Sequence, residues 1–501
     1  MRLCTDRDQS VLETLDRAAD ERPEAPALRD ARGGWTYARL RDTCRAAARW
    51  LRAEGVAEGD RVVVRATSDR YVVALMYACF RIGALFVPVS PAMRGYQLEH
   101  VLADSEPTLL ITDVEDHLQT ASIVRGRTLR DTVSGIDACV RDSEDTTLDS
   151  ERASRGTDVA MLLYTSGSTA QPKAVVCPQS SVAFAVSAVS ACLRYQPDDV
   201  VYSRLPLSFD YGLYQTFLAV AAQCELVLAD DSQDPRLLRH LSDSGATVVP
   251  LVPSLATMLL TLARRDSTPS RVRLFTNTGE HLPQATADQL RKWFPGAAVQ
   301  MMFGTTECKR ISILEPNAYL SRPGSVGRPL PGTGIVIVDD EGRALPAGEV
   351  GEITVRGPHL MSGYWRSPEL TARTYRVAPD TGDRVLHTGD MGRLDADGHL
   401  YFTGRKDDLF KRRGVRTSVL EIEAAAQTLP SVRAAALLPP TEDRDAVLFV
   451  VGDTTDRQAL SDLARLLDPA KVPSVCRVVE GLPVNANGKV DRATLHSWEG
   501  E

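Results

Sequence analysis

Helix-spaced apolar segments alternate with short β-branched runs along most of this 501-residue chain, and no other feature limits its fold so tightly. Leu40 to Leu51 carries apolar residues at helical spacing, and Arg61-Val-Val-Val-Arg65 then reads as a buried strand. Tyr71 to Ile82 reads as a helix, Leu85 to Val89 as a strand and Tyr96 to Ala103 as a helix again. Leu109 to Thr112, Leu226 to Leu228 and Thr247 to Val249 are further strand candidates. Such alternation predicts an α/β fold in layers, with largely parallel strands. From Gly324 to Tyr401 the pattern shortens to alternating strands with Gly and Pro turns (Gly334 to Val338, Glu352 to Val355, Leu400 to Phe402), which predicts a small antiparallel or barrel-like β subdomain. After Gly404 the chain turns highly charged, and a helix beginning near Val419 opens a short α+β tail. One hydrophobic core rarely serves a chain of this length. Two domains are expected, a large one over residues 1–404 and a small one over residues 405–501, with the boundary near Arg405 to Asp408.

Charge and composition remove several function classes. The net charge of −8 argues against a generic polyanion binder, so no nucleic acid partner is expected. The best apolar run, Tyr71 to Phe80, is about half the ~20 residues of a membrane span and is closed by Arg81, so no membrane partner is expected either. The start, MRLCTDRDQS, lacks the apolar core of a signal peptide, and nine cysteines form no CxxC pair. Reduced thiols and a cytoplasmic location are the expectation. Lysine is scarce, seven against fifty-one arginines, so each lysine raises the question of why it is not arginine.

The segment with most chemistry is Tyr164-Thr-Ser-Gly-Ser-Thr-Ala-Gln-Pro-Lys173, directly after the apolar Val159 to Leu163. Thr165, Ser166, Ser168 and Thr169 around Gly167 make a loop whose hydroxyl and backbone N–H groups can wrap phosphate oxygens, with Lys173 adding a mobile positive charge. It is not a Walker loop, because GxxxxGK[ST] is absent. A Ser/Thr-rich surface turn is the bland alternative, and the full order TSGSTxxPK argues against it.

TSGSTxxPK resembles the phosphate loop of adenylate-forming (AMP-binding) enzymes: acyl-CoA synthetases, luciferases and amino-acid adenylation domains. Further motifs follow in the same order. Gly83-Ala-Leu-Phe-Val-Pro-Val89 resembles the GAxxVPx strand, Asn277-Thr-Gly-Glu280 the GGE turn, and Phe303-Gly-Thr-Thr-Glu307 the (Y/F)GxTE motif. Gly351-Glu352, Gly363-Tyr364 and Pro368 to Thr371 resemble GE…GY…PExT. Thr388-Gly-Asp390, Asp397-Gly398 and Gly404-Arg-Lys-Asp407 resemble TGD…DG…GRxD, and Asn485 to Lys489 with Arg492 resembles the terminal NxxGKxxR. The closest likeness is to stand-alone amino-acid adenylation enzymes that load carrier proteins.

That resemblance implies ATP and Mg²⁺. A carboxylate attacks the α-phosphorus of ATP and pyrophosphate leaves, so two anions must meet and catalysis is mainly positioning and charge neutralisation. The hydroxyl loop would hold the β- and γ-phosphates, Glu307 would bind Mg²⁺, and Thr306 would contact the α-phosphate. Phe303 would flank the adenine beside Gly304 and the Gly279-Glu280 turn; Asp390 would accept the ribose hydroxyls, and Arg405 would reach ribose or phosphates. Lys489 would sit between substrate carboxylate and α-phosphate, a task for a compact ammonium rather than a planar guanidinium. Asp407 resembles the hinge about which the family rotates its small, mobile C-terminal domain after adenylation. Two departures stand out. Ala170 and Ala174 replace the usual loop glycines, and Leu420-Glu-Ile-Glu423 replaces GEIE.

Ser208-Phe-Asp-Tyr-Gly-Leu-Tyr-Gln215 occupies the place of the substrate-pocket motif, and the resemblance implies that Asp210 binds a substrate ammonium. A buried Asp without a cation would be costly, which favours an amino acid over a plain carboxylic acid. Tyr211, Tyr214, Pro250, Thr278, Met302 and Arg310 would line the rest. Two tyrosines and a methionine leave little room, suggesting a small amino acid such as alanine or proline, whereas Arg310 could pair with a second substrate carboxylate. The chain stops soon after Lys489, so the acceptor is expected to be the phosphopantetheine of a separate carrier protein, in secondary-metabolite or antibiotic biosynthesis. The alternative is an acyl-CoA ligase that uses free CoA. A hydrolase is disfavoured, because GxSxG and HExxH are absent.

Overall fold

A computed structural model describes residues 10–93, 95–113, 125–141, 155–165, 172–229, 235–265, 268–378, 381–406, 409–412, 415–441, 444–469, 471–485 and 489–498. The alternation in the sequence becomes two sheets with helices around and between them. The first has seven strands, in the order Gly363–Tyr364, Lys173–Pro178, Val159–Thr165, Leu85–Val89, Arg61–Arg65, Leu109–Thr112 and Arg125–Thr128. Its centre is parallel, with Val63 beside Val87 on one flank and Leu110 on the other. Val62, Val63 and Val64 are all buried, as expected of a strand covered on both faces.

The second sheet has fourteen strands. Its parallel part runs Ala298–Phe303, Leu274–Asn277, Val248–Leu251, Val200–Ser203, Glu225–Leu228, Pro26–Asp30. Through the short strand Ser312–Ile313 it continues into the antiparallel strands Ser325–Pro329, Leu400–Arg405, Arg384–Leu394, Gly351–Arg356 and Gly334–Val338. The β segment read from residue 324 onward therefore shares hydrogen bonds with the main sheet, yet it keeps its own apolar cluster around Ile335, Ile353, Val355, Leu386 and Leu400.

Helices Gln179–Leu193 and Asp210–Ala222 are buried on nearly every side and belong to the large core shared by both sheets. Their lack of a polar face follows from that position and explains why amphipathic spacing does not reveal them. Residues 419–498 form a helix, Val419–Gln427, against a three-stranded sheet of Val432–Leu438, Val447–Gly452 and Val475–Val478. Two separate apolar clusters, one around Ile422, Leu437 and Leu448 and one around Leu438, Phe449 and Leu495, hold this part together. None of the described cysteines is in a disulfide, and no described helix is long and apolar enough to cross a membrane.

Candidate active site

Parallel strands finish at a common edge, and the turns that leave them there are free to carry polar side chains. Three such turns and the end of one further strand meet at one cavity of about 470 Å³. Strand Leu274–Asn277 delivers Thr278, Gly279 and Glu280; strand Ala298–Phe303 delivers Gly304 to Glu307; strand Val200–Ser203 leads to Ser208, Phe209 and Asp210; strand Val159–Thr165 delivers Thr165. The antiparallel strands add Asp390 and Arg405, directly opposite each other in register, and the C-terminal part adds Lys489. Lys173, Met302, Phe303 and Arg310 complete the lining drawn from the sequence-derived set. Tyr211, Tyr214 and Pro250 do not line it and lie one layer behind. Tyr211 is fully buried with its hydroxyl 2.7 Å from Thr276 Oγ1, Tyr214 is buried against Phe217, and Pro250 is an interior strand residue paired with Thr276. Ser166, Gly167, Ser168, Thr169, Ala170 and Asp407 lie outside the described residues.

The turn after Phe303 decides much of the geometry. Its chain reverses through Lys309 N–H on Thr305 O (2.7 Å) and Ile311 N–H on Phe303 O (2.8 Å), with Lys309 at φ 69°. A Cβ on Gly304 would stand 2.2 Å from Lys309 O and 2.7 Å from Arg310 Cα, so only glycine lets the returning chain pass. The reversal sends Glu307 to one side and buries Lys309 and Arg310 on the other, at 0% and 5% exposure. Arg310 lies over the Tyr211 ring at 5.0 Å and donates from Nη1 to Lys309 O at 2.6 Å. Lys309 Nζ lies over the Tyr214 ring at 5.5 Å and faces the Cys177 thiol. Among the described residues neither cation has a carboxylate within salt-bridge distance, and Arg310 Nε has no hydrogen-bond partner. The hydroxyls of Ser208, Tyr214 and Thr278 are likewise buried without one. Such a concentration of unmet polar atoms around one cavity is costly unless a polar molecule completes it. Lys309 was outside the sequence-derived set; its signal was available as one of only seven lysines, directly after the FGTTE turn.

Asp210 is the first residue of its helix, where the N-terminal dipole stabilises a carboxylate even without a ligand. Lys489 points its ammonium over the Phe209 ring at 5.3 Å. Burial holds that ammonium below the usual lysine range, opposed by the nearby Asp210 and Glu280 carboxylates. Burial pushes Glu280 up to about 7, with Lys489 pulling the other way. Gly279, at φ 86°, is where Lys489 approaches; a Cβ there would lie 3.5 Å from Lys489 Cε. On the opposite wall Phe303 stacks on Phe402 at 4.9 Å, and Asp390, 2% exposed, sits 3.3 Å from Arg405 Nε. Glu307 Oε1 accepts a hydrogen bond from the Tyr364 hydroxyl at 2.7 Å.

A model of the AMP-binding enzyme family matches residues 15–365. Novobiocin biosynthesis protein H of Streptomyces niveus is 30% identical, over 97% of this chain and 82% of its own length. Other curated relatives are far longer, and this chain spans as little as 6% of one of them. Among solved structures, VinN in complex with L-aspartate is 43% identical, over 79% of this chain and 99% of that one, with a TM-score of 0.73. ATP-bound MatB from Rhodopseudomonas palustris is 27% identical over 98% of this chain and 99% of that one, with a TM-score of 0.87. With residues from several of its motifs at one cavity and the family match over most of its length, the chain belongs to the AMP-binding enzymes, as an AMP-forming ligase.

Proposed function

We propose that the enzyme activates an amino acid carrying a second carboxylate, of the aspartate class, to an acyl-adenylate with release of pyrophosphate. The acyl group then passes to the phosphopantetheine thiol of a separate carrier protein, in secondary-metabolite biosynthesis. The observation that carries the reading is the charge of the substrate end of the cavity. Lys489 faces the Glu280 carboxylate as well as Asp210, whereas Arg310 and Lys309 behind it have no described carboxylate within salt-bridge distance, so two cations there stand against the one carboxylate of Asp210. A neutral zwitterion such as alanine leaves that excess unbalanced in a poorly hydrated site. A dicarboxylic amino acid offers an ammonium to Asp210, one carboxylate to Arg310 and the other to the reaction beside Lys489. The aspartate-bound VinN structure supports the same class. Space alone pointed to alanine or proline; charge points to the acidic class.

In the reaction a carboxylate oxygen forms a bond to the α-phosphorus of ATP, and the bond from that phosphorus to the bridging oxygen of pyrophosphate breaks. Lys489 neutralises the approaching anions, and Thr306 hydrogen-bonds the α-phosphate. Phe303 and Phe402 hold the adenine, Asp390 the ribose, and Arg405 is close enough to Asp390 to orient it. Lys173 and the hydroxyl loop hold the departing phosphates. Glu307 is a hard oxygen donor at the phosphate side and would hold Mg²⁺, whose charge offsets that of the phosphates. Residues 405–501 act as the small domain, turning about Asp407 to exchange Lys489 for the thiol-binding face.

Pyrophosphate exchange across a panel of acidic, neutral and non-amino acids tests the substrate. Best exchange with dicarboxylic amino acids is expected, and exchange only with non-amino acids overturns the reading. Transfer trials with carrier proteins and CoA then test the acceptor; exclusive use of CoA would move the protein to the acyl-CoA ligases.

A further inference from the structure

Glu307 is fixed from three directions. Its backbone oxygen accepts from the Tyr375 hydroxyl at 3.1 Å and from Met361 N–H at 2.9 Å, and its side-chain Oε1 accepts from the Tyr364 hydroxyl at 2.7 Å. Among the described residues Oε2 takes no hydrogen bond, so the carboxylate presents one held and one available oxygen. Tyr364 itself sits in a two-residue strand paired with Lys173–Pro178, the strand that leaves the hydroxyl-rich loop. The pairing is anchored on both sides of Tyr364, by Ser362 N–H on Val176 O (3.0 Å) and Trp365 N–H on Ala174 O (2.9 Å). Tyr364 N–H is tied separately to Thr371 Oγ1 at 2.9 Å. One aromatic side chain thus spans the gap between the strand that begins at Lys173 and the carboxylate of the FGTTE turn.

We propose that Tyr364 is a positioning residue for the metal-bearing carboxylate: its phenol holds Glu307 Oε1 so that Oε2 faces the cation, and its strand keeps that oxygen in register with the exit of the phosphate loop. The inference rests on the reading of Glu307 as the Mg²⁺ ligand. A carboxylate free to rotate must lose that freedom on binding the ion, whereas one already held by a charged-group hydrogen bond does not.

The test is Tyr364→Phe in the full chain, which removes one oxygen and keeps the ring. Mn²⁺ binding with α,β-methylene-ATP, read from the free-ion EPR signal, should weaken roughly tenfold or more, the size expected for losing a hydrogen bond to a charged group. Metal-free AMP binding should be unchanged. Tyr375→Phe, which touches only the backbone oxygen, should have the smaller effect on Mn²⁺. Unchanged Mn²⁺ affinity in Tyr364→Phe overturns the inference, as does an equal loss of Mn²⁺ and AMP binding, which marks a general structural role. Glu307→Gln separates the two layers. If it weakens Mn²⁺ binding while Tyr364→Phe does not, the metal reading stands and the positioning role falls; if neither does, the metal reading itself falls.

Discussion

Replacing Arg310 by Leu should convert the enzyme's preference from dicarboxylic to neutral amino acids. The guanidinium is 5% exposed, rests on Tyr211 and spends one donor on Lys309 O, which leaves the rest of its fork for a substrate carboxylate. Removing one partner of a buried ion pair typically costs about 3–5 kcal/mol. At ~1.4 kcal/mol per decade, kcat/KM for the dicarboxylic substrate should fall by roughly two to three and a half orders of magnitude. Lys309 cannot readily take over, because the Tyr214 ring lies against its ammonium. For a neutral analogue of the same length the sign reverses. The wild-type protein must bury an unpaired guanidinium beside it, and the variant need not, so kcat/KM should hold or rise. KM for ATP should stay put, since Phe303 and Asp390 lie on another wall. The unliganded variant should melt no lower than wild type, because Leu replaces a cation that has no described counter-ion. Pyrophosphate exchange with the two substrates, at saturating ATP, gives both numbers. A parallel loss for both substrates would refute the second-carboxylate argument and reduce Arg310 to a packing residue.

Three other outcomes are expected. Lys489→Ala should abolish adenylate formation while leaving thioester formation from preformed acyl-adenylate largely intact; equal loss of both steps counts against its place between carboxylate and α-phosphate. Asp210→Asn should lower kcat/KM for the amino acid by about two orders of magnitude or more while sparing ATP binding, because the ammonium loses its counter-ion; a mild effect returns Asp210 to the bland role of a helix N-terminal carboxylate. His359 is fully buried with both ring nitrogens unpartnered, and burial lowers it from 6.5 to about 4. Its folded value lies below its unfolded one, so the unfolded chain takes the proton first. The stability it leaves intact above about pH 6.5 drains as pH falls toward 4, by up to about 3 kcal/mol. Denaturant titrations of wild type and His359→Phe at pH 7 and 4.5 should diverge accordingly, and parallel curves would dismiss the effect.

What the sequence discloses and what it hides follow different physics. Strands covered on both faces announce themselves as unbroken apolar runs, so Arg61–Arg65, Leu85–Val89 and Leu109–Thr112 carry the same limits in the sequence reading and in the fold. Helices with one wet face are legible by period, as Leu40 to Leu51 is within Tyr37–Ala53, whereas Arg70–Ile82, read to within a residue, is buried from Tyr71 onward and shows as an apolar run rather than a period. The helices between the sheets, Gln179–Leu193 and Asp210–Ala222, have no wet face and so no period to read. The second sheet could not be joined up either: its antiparallel and parallel parts meet through two residues, Ser312 and Ile313, too few to show a pattern.

The site divides in the same way. The polar residues that line the cavity sit in turns or at strand positions where packing gives no reason for them, and that made Thr165, Glu307, Asp390 and Lys489 conspicuous in order. Residues that act from behind look like core. Tyr211, placed by motif position on the cavity wall, instead lies under Arg310, which reaches it, and Tyr214 under Lys309, which lies behind; Lys309 gives no sign in its neighbours that it is fully buried. What discloses that layer is the unpaired donor count, which exists only in three dimensions. Arg310 and Lys309 without described carboxylate partners, beside one carboxylate at Asp210, leave an excess of positive charge that no described residue balances. On the proposed reading a substrate with two carboxylates and one ammonium offsets it, and that balance rather than cavity size would select among amino acids.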